Sequence, residues 1–123
     1  MKPMTDYRRG DVVLVGFIFT DESGVKQRPA IVISSDIYCQ QRREVIISAV
    51  TSQTERLLAG DHLIGHWLES GLLFPSVATG IIRTIKQNMI IRKLGTIVET
   101  DMEKIDEQLR VALGLLSKKP PIT

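Results

Sequence analysis

Over the first three-quarters of the chain, apolar residues come in short clusters rich in β-branched side chains, separated by glycine and polar runs, a pattern that predicts strands. Asp11–Phe19 (DVVLVGFIF) begins just after Gly10, and its imperfect alternation predicts a first strand partly buried on both faces. The cluster TDESG at 20–24 predicts a hairpin loop. Arg28–Ser35 (RPAIVISS) is the second expected strand. Proline lacks an N–H for the ladder, so Pro29 belongs at the strand start or on an edge, and it holds Arg28 extended. Asp36–Arg43 is expected as a loop or single helical turn, Glu44–Thr51 as the third strand and 52–60 as a connection. His62–Leu68 (HLIGHWL) is expected as the fourth strand, Pro75–Ile85 as a fifth interrupted at Gly80, and Arg92–Val98 as a short sixth.

The period then changes. Thr100-Asp101-Met102-Glu103 has the form of a capping box, a threonine with a glutamate three residues on. Behind it Met102, Ile105, Leu109, Ala112, Leu113 and Leu116 recur at helical spacing as one apolar stripe. Asp101 and Glu103 in the first turn and Lys118 and Lys119 at the end match the helix dipole. Strands followed by one long helix define an α+β, mostly β class: a curled antiparallel sheet with a C-terminal helix packed on it. One domain is expected over 1–123, with 118–123 a loose tail.

At 123 residues, 43% hydrophobic and 24% charged, the chain can form one core and is not wholly disordered. Its longest apolar run, Val12–Phe19, is eight residues, short of the roughly 18 of a membrane helix. One cysteine, Cys39, excludes an internal disulfide and a thiolate-rich zinc site. With an N-terminus, MKPMTDYRRGD, that lacks a secretory apolar stretch, a cytoplasmic location is expected. Sixteen Lys and Arg against fourteen Asp and Glu give a net charge of only +2, so non-specific duplex binding is not indicated. Basic residues (Arg8, Arg9, Lys26, Arg28, Arg42, Arg43, Arg56) nevertheless gather in the first half and acidic ones near the C-terminus, which allows one basic face.

Few residues offer chemistry. His62 and His66 are four apart, about 13 Å along a strand, with no accompanying ligand pattern, so no metal site is expected. Cys39 has no histidine near it in sequence, and neither GxSxG nor a glycine-rich phosphate loop occurs. Trp67 and Tyr38 could stack bases, although a tryptophan beside Leu68 more often packs a core. What remains is Arg28, held extended at a strand entrance, with Thr51, Ser52 and Gln53 closing the third strand. A guanidinium fork matches two phosphate oxygens and a hydroxyl can donate to a third, so the pair suits a phosphodiester.

Four blocks in order, RRGDVVLVGF (8–17), QRPAIVIS (27–34), ISAVTSQ (47–53) and IIRTI (81–85), together with the C-terminal amphipathic helix, resemble the MazF/PemK-type toxins of type II toxin–antitoxin systems. The resemblance implies a small Src-homology-3-like antiparallel barrel, a homodimer, and a metal-independent endoribonuclease for single-stranded RNA with no cofactor, neutralised by a cognate antitoxin. It implies Arg28 and Thr51 as the catalytic pair, assisting attack by the substrate's own 2′-hydroxyl. The loop Phe19–Gln27 matches the family's mobile loop over the substrate. Phe19, Thr20, Gly24, Lys26 and Gln27 from it, with Ser52 and Gln53, are the expected RNA-binding residues. Plasmid-borne relatives carry an Arg-Cys-Asp-like segment where this chain has Ala78-Thr79-Gly80, which leaves Arg28 and Thr51 as the available form of the site. Arg83 is open between a structural ion pair and an RNA contact. Other readings within this barrel are a catalytically degenerate homologue that only binds, and a gyrase inhibitor of the CcdB type. The tail KKPPIT has no terminal tryptophan of the kind CcdB uses.

Overall fold

The computed structural model describes residues 7–18 and 24–116. Six strands, β1 (Asp11–Ile18), β2 (Val25–Val32), β3 (Glu44–Thr51), β4 (His62–Leu63), β5 (Val77–Lys86) and β6 (Ile90–Thr96), form one antiparallel sheet in the order β4-β5-β3-β2-β1-β6. Among the described residues two α-helices, α1 (Asp36–Gln41) and α2 (Glu99–Leu113), and a short 3-10 turn at Gln87–Met89 complete the fold. No ladder joins β4 to β6, so the sheet is curled but not closed. The gap is bridged by packing: the turn at Ser70–Gly71 lies against Leu94–Gly95 of β6 so closely that a Cβ on Gly71 or Gly95 would overlap opposing backbone.

Alternation sorts the side chains into two cores. On the α2 side Val12, Ile31, Val50 and Ala78 pack with Ile64, Leu72, Ile97, Ile105 and Leu109. On the other side, concave in that Arg83 of β5 reaches Phe17 of β1 across the two strands between them, Val13, Val15, Ala30, Val32, Val45, Ile47 and Ile85 pack with Cys39 and Ile90. Cys39 is fully buried, its Sγ 3.2 Å from Ser34 Oγ, which makes it a small core residue.

The third strand runs over the residues its pattern predicts, whereas β2 starts and stops three residues early. His62–Leu68 is not a strand beyond Leu63: Ile64 is buried just before a run of turns that starts at Gly65, and half-buried Trp67 packs on the helix-side core. The expected break at Gly80 is a shift of register between Ser48 and Val50, where Ser48 pairs with Ile82 but Val50 with Ala78. Side chains satisfy the backbone groups freed there. Ser48 Oγ donates to Thr79 O, Thr79 Oγ1 donates to Ala49 O (2.7 Å), and Gly80 N–H donates to Asp61 Oδ1 (2.8 Å). A Cβ on Gly80 would stand 3.1 Å from both Ala59 O and Gly60 Cα, which explains glycine at this position.

The capping box does not form. Val98 is the residue before α2, no side chain caps its amides, and buried Asp101 is turned towards the β4 turn instead. Of the predicted stripe, Ile105 and Leu109 are buried and Met102 half-buried. Ala112 and Leu113 are exposed, and Leu116 lies beyond the helix end at Gly114, which takes the left-handed conformation (φ 70°) suited to glycine. The lysines and tail at 118–123 lie outside the described residues.

Candidate active site

The paired strands β2 and β3 carry Arg28 and Thr51. Their ladder matches Ala30 with Ala49, Ile31 with Ser48 and Val32 with Ile47. The ladder ends at Ala30 and Ala49, and Arg28 and Thr51 each stand two residues beyond that last pair. Both share the parity of Ala30, Val32, Val45 and Ile47, so they continue the concave face beyond the core. Arg28 is exposed and Thr51 half-buried.

The local bonding leaves both side chains donors to spare. Arg28 Nη1 donates to Gln27 O at 3.2 Å, one use among the five N–H groups of a guanidinium. Thr51 Oγ1 accepts from Gln53 N–H at 3.1 Å, which leaves the hydroxyl proton to donate elsewhere. The backbone of Gln53 is thereby tied to the Thr51 side chain. Pro29 is paired with Leu14 of β1 inside the sheet, where its missing N–H and fixed φ stiffen the residue after Arg28.

Of the other expected RNA-binding residues, Lys26 shares the face of Arg28 and is paired with Phe17 of β1. Gln27 falls on the opposite face, and Ser52 lies just beyond the end of β3. Gly24 is exposed with φ 81°, a backbone position at which glycine is unstrained. Phe19 and Thr20 lie outside the described residues. Arg83 makes no ion pair among the described residues; its guanidinium carbon sits 4.8 Å from the centre of the Phe17 ring. Tyr38 is similarly covered by Arg42, at 4.9 Å.

Both histidines lie on the helix side and meet at one carboxylate. Asp101 Oδ1 is 2.8 Å from His62 Nε2 and accepts from Gly65 N–H (2.9 Å), while Oδ2 accepts from His66 N–H (2.9 Å). Burial would raise the Asp101 pKa, but the His62 bond, the two backbone N–H groups and the His62 charge outweigh it and hold the carboxyl below its ordinary 3.8. The cluster fastens the start of α2 to the β4 turn. Sequence spacing treats these histidines as unrelated strand positions; only the tertiary fold brings Asp101 between them. Among the described residues no group of three or more His, Cys, Asp or Glu side chains is placed to hold a metal ion.

A small, curled, mostly β antiparallel sheet with one C-terminal helix defines the class. The chain belongs to the PemK-like, MazF-like toxins of type II toxin–antitoxin systems, whose family model matches residues 8–113. It is 27% identical over 118 residues to the endoribonuclease EndoA of Bacillus subtilis (strain 168), covering 89% of this chain and 96% of that protein. Solved structures share the fold. An endoribonuclease from a mycobacterial species superposes with a TM-score of 0.73 at 23% identity, over 97% of this chain and 100% of the other. The Mycobacterium tuberculosis toxin MazF-mt6 gives 0.72 at 18% identity, over 87% and 99%. A MazE–MazF structure from Deinococcus radiodurans gives 0.70 at 19%, over 90% and 100%. No helix among the described residues is long and apolar enough to cross a membrane.

Proposed function

We propose that this toxin is a metal-independent endoribonuclease (mRNA interferase) that cleaves single-stranded RNA with Arg28 and Thr51 as its catalytic pair. What supports this reading is strand alternation: Arg28 and Thr51 each stand two residues beyond the last β2–β3 pair, Ala30 with Ala49, and share its parity. Relatives that are endoribonucleases, EndoA of Bacillus subtilis among them, support it.

In the proposed reaction the 2′-hydroxyl oxygen of the substrate attacks the adjacent phosphorus. A P–O bond to that oxygen forms as the bond to the 5′-oxygen breaks, giving a 2′,3′-cyclic phosphate and a 5′-hydroxyl. The 2′-hydroxyl proton leaves to water and the departing 5′-oxygen takes one up. Because the nucleophile is internal, the protein's task is to position the phosphate and stabilise charge. Arg28 holds two non-bridging oxygens as negative charge builds, and the Thr51 hydroxyl donates to the phosphate and fixes its orientation. Arginine stays protonated throughout, so it is not the base. Both histidines are engaged on the helix side. Water is therefore assigned the proton transfers.

The proposed partners are single-stranded mRNA, a second copy of the chain and a cognate antitoxin. A mycobacterial endoribonuclease of the same fold has been solved with its cognate antitoxin. Exposed Leu57, Leu58, Leu73 and Phe74 supply apolar surface for such contacts, while Leu72 belongs to the core. The proposed compartment is the cytoplasm, where mRNA is available. The test is incubation of the purified chain with mixed-sequence single-stranded RNA in EDTA, with the new ends mapped. Defined cuts bearing cyclic phosphate, absent with Arg28→Ala, are expected; RNA left intact by the wild-type chain, or cuts that survive Arg28→Ala, would overturn the reading.

A further inference from the structure

We infer that Phe17 and Arg83 form a second RNA contact on the concave face, in which the arginine, held on the ring, binds a phosphate flanking the one at Arg28. The inference rests on the nuclease reading, decides between the two roles left open for Arg83 in the sequence, and adds Phe17.

Three observations carry it. First, Phe17 lies next to the site: β1 and β2 pair Val15 with Arg28 and Phe17 with Lys26. The ring is thus the diagonal neighbour of Arg28, within reach of a long side chain. Second, Arg83 reaches that ring across the curl of the sheet. It shares the concave face through its pairing with Ile47, and its guanidinium carbon lies 4.8 Å from the ring centre. Third, this exposed arginine has no carboxylate partner among the described residues. By contrast Arg9, Lys93 and Arg110 are each paired with an acid.

A guanidinium held over a ring can still offer N–H groups to an anion, with less rotamer freedom left to lose on binding. Lys26, Arg28 and Arg83 therefore surround one aromatic side chain. Cations interleaved with a ring form a track for single-stranded nucleic acid. Polymer phosphates recur along the strand, so a second anchor beside the first fixes the register of the chain over Thr51. Arg83 is accordingly a positioning residue, which does not touch the reacting phosphorus.

The test uses a fluorescein-labelled mixed-sequence single-stranded DNA, which lacks the 2′-hydroxyl and is not cut, together with cleavage of the matching RNA. For Arg83→Gln, the expected result is affinity for the DNA down about tenfold and a salt dependence shallower by about 0.7 in log–log slope, the value for one single-strand phosphate contact. KM for RNA should rise by a similar factor with kcat within about threefold. Phe17→Leu, which releases the arginine without removing it, should weaken binding less and leave the slope unchanged. Wild-type affinity and slope in Arg83→Gln at an unchanged melting temperature would overturn the inference while leaving the nuclease reading intact. A drop in kcat alone would also overturn it. A wild-type chain that binds the DNA but cuts no RNA would instead sink the nuclease reading.

Discussion

Arg28 and Asp101 differ in what carries each to its place. Arg28 is announced by its neighbour: a proline after it enforces an extended backbone, and Thr51 closes a strand whose limits follow from its own alternation. Removing a donor aimed at developing charge costs about a hundred- to a thousandfold. Arg28→Ala and Thr51→Ala should each lower kcat by that order in a single-turnover RNA assay, and wild-type rates would remove them from the catalytic pair. Asp101 was not legible, because Thr-Asp-Met-Glu reads equally well as a helix cap, and partners about forty residues away decide otherwise. Its carboxyl titrates below 3.8 when folded, so the folded state binds its proton less readily than the unfolded one. That stabilisation is present in full above the unfolded pKa and is lost as pH falls through the lower folded value. Acid unfolding of Asp101→Asn should therefore be less steep below about pH 4 than that of the wild type. At neutral pH Asp101→Ala should cost about 4 kcal/mol or more, from three lost bonds to a charged acceptor at roughly 1.5 kcal/mol or more each, measured by urea denaturation. An unchanged urea midpoint would show that the cluster is not a fastening.

Whole elements were readable where one face alternates cleanly, as in β3, and unreadable where buried residues sit in turns. His62–Leu68 contributes Ile64 and Trp67 to the core without being a strand beyond Leu63, and apolar spacing alone cannot separate those cases. In α2 the apolar stripe outruns the surface available to cover it: Ile105 and Leu109 meet the sheet, while Leu113 remains 59% exposed. The junction of the 65–71 turns with β6 depends on two glycines rather than on hydrogen bonding between edge strands. Gly95→Ala places a methyl against the Ser70 carbonyl, where backbone must move. It should destabilise the fold by at least the 1–3 kcal/mol or so of an overpacked core, read as a lowered urea midpoint. An alanine tolerated there would mean that the junction is loose.

For the molecule as a whole, the two faces of the sheet divide the work. The helix side holds the His62–Asp101–His66 cluster beside its core, and the concave side continues from its core into Arg28, Thr51 and Lys26. Paired copies should show a mass in sedimentation equilibrium near twice the 13.8 kDa of the chain, and a monomer at micromolar concentration would remove the dimer from the proposal. The irregular stretch of β5 bears on this division. Between the pairs Ser48–Ile82 and Val50–Ala78, β3 spends one residue and β5 three. The surplus is two, an even number, so odd-numbered side chains of β5 keep to one side of the sheet before and after it. Deleting Ile81 alone would make the surplus odd and turn either Arg83 and Ile85 towards α2 or Ala78 away from it. Natural length variation at this point should therefore come in steps of two, because a single-residue indel there exchanges the inside of the protein for its outside.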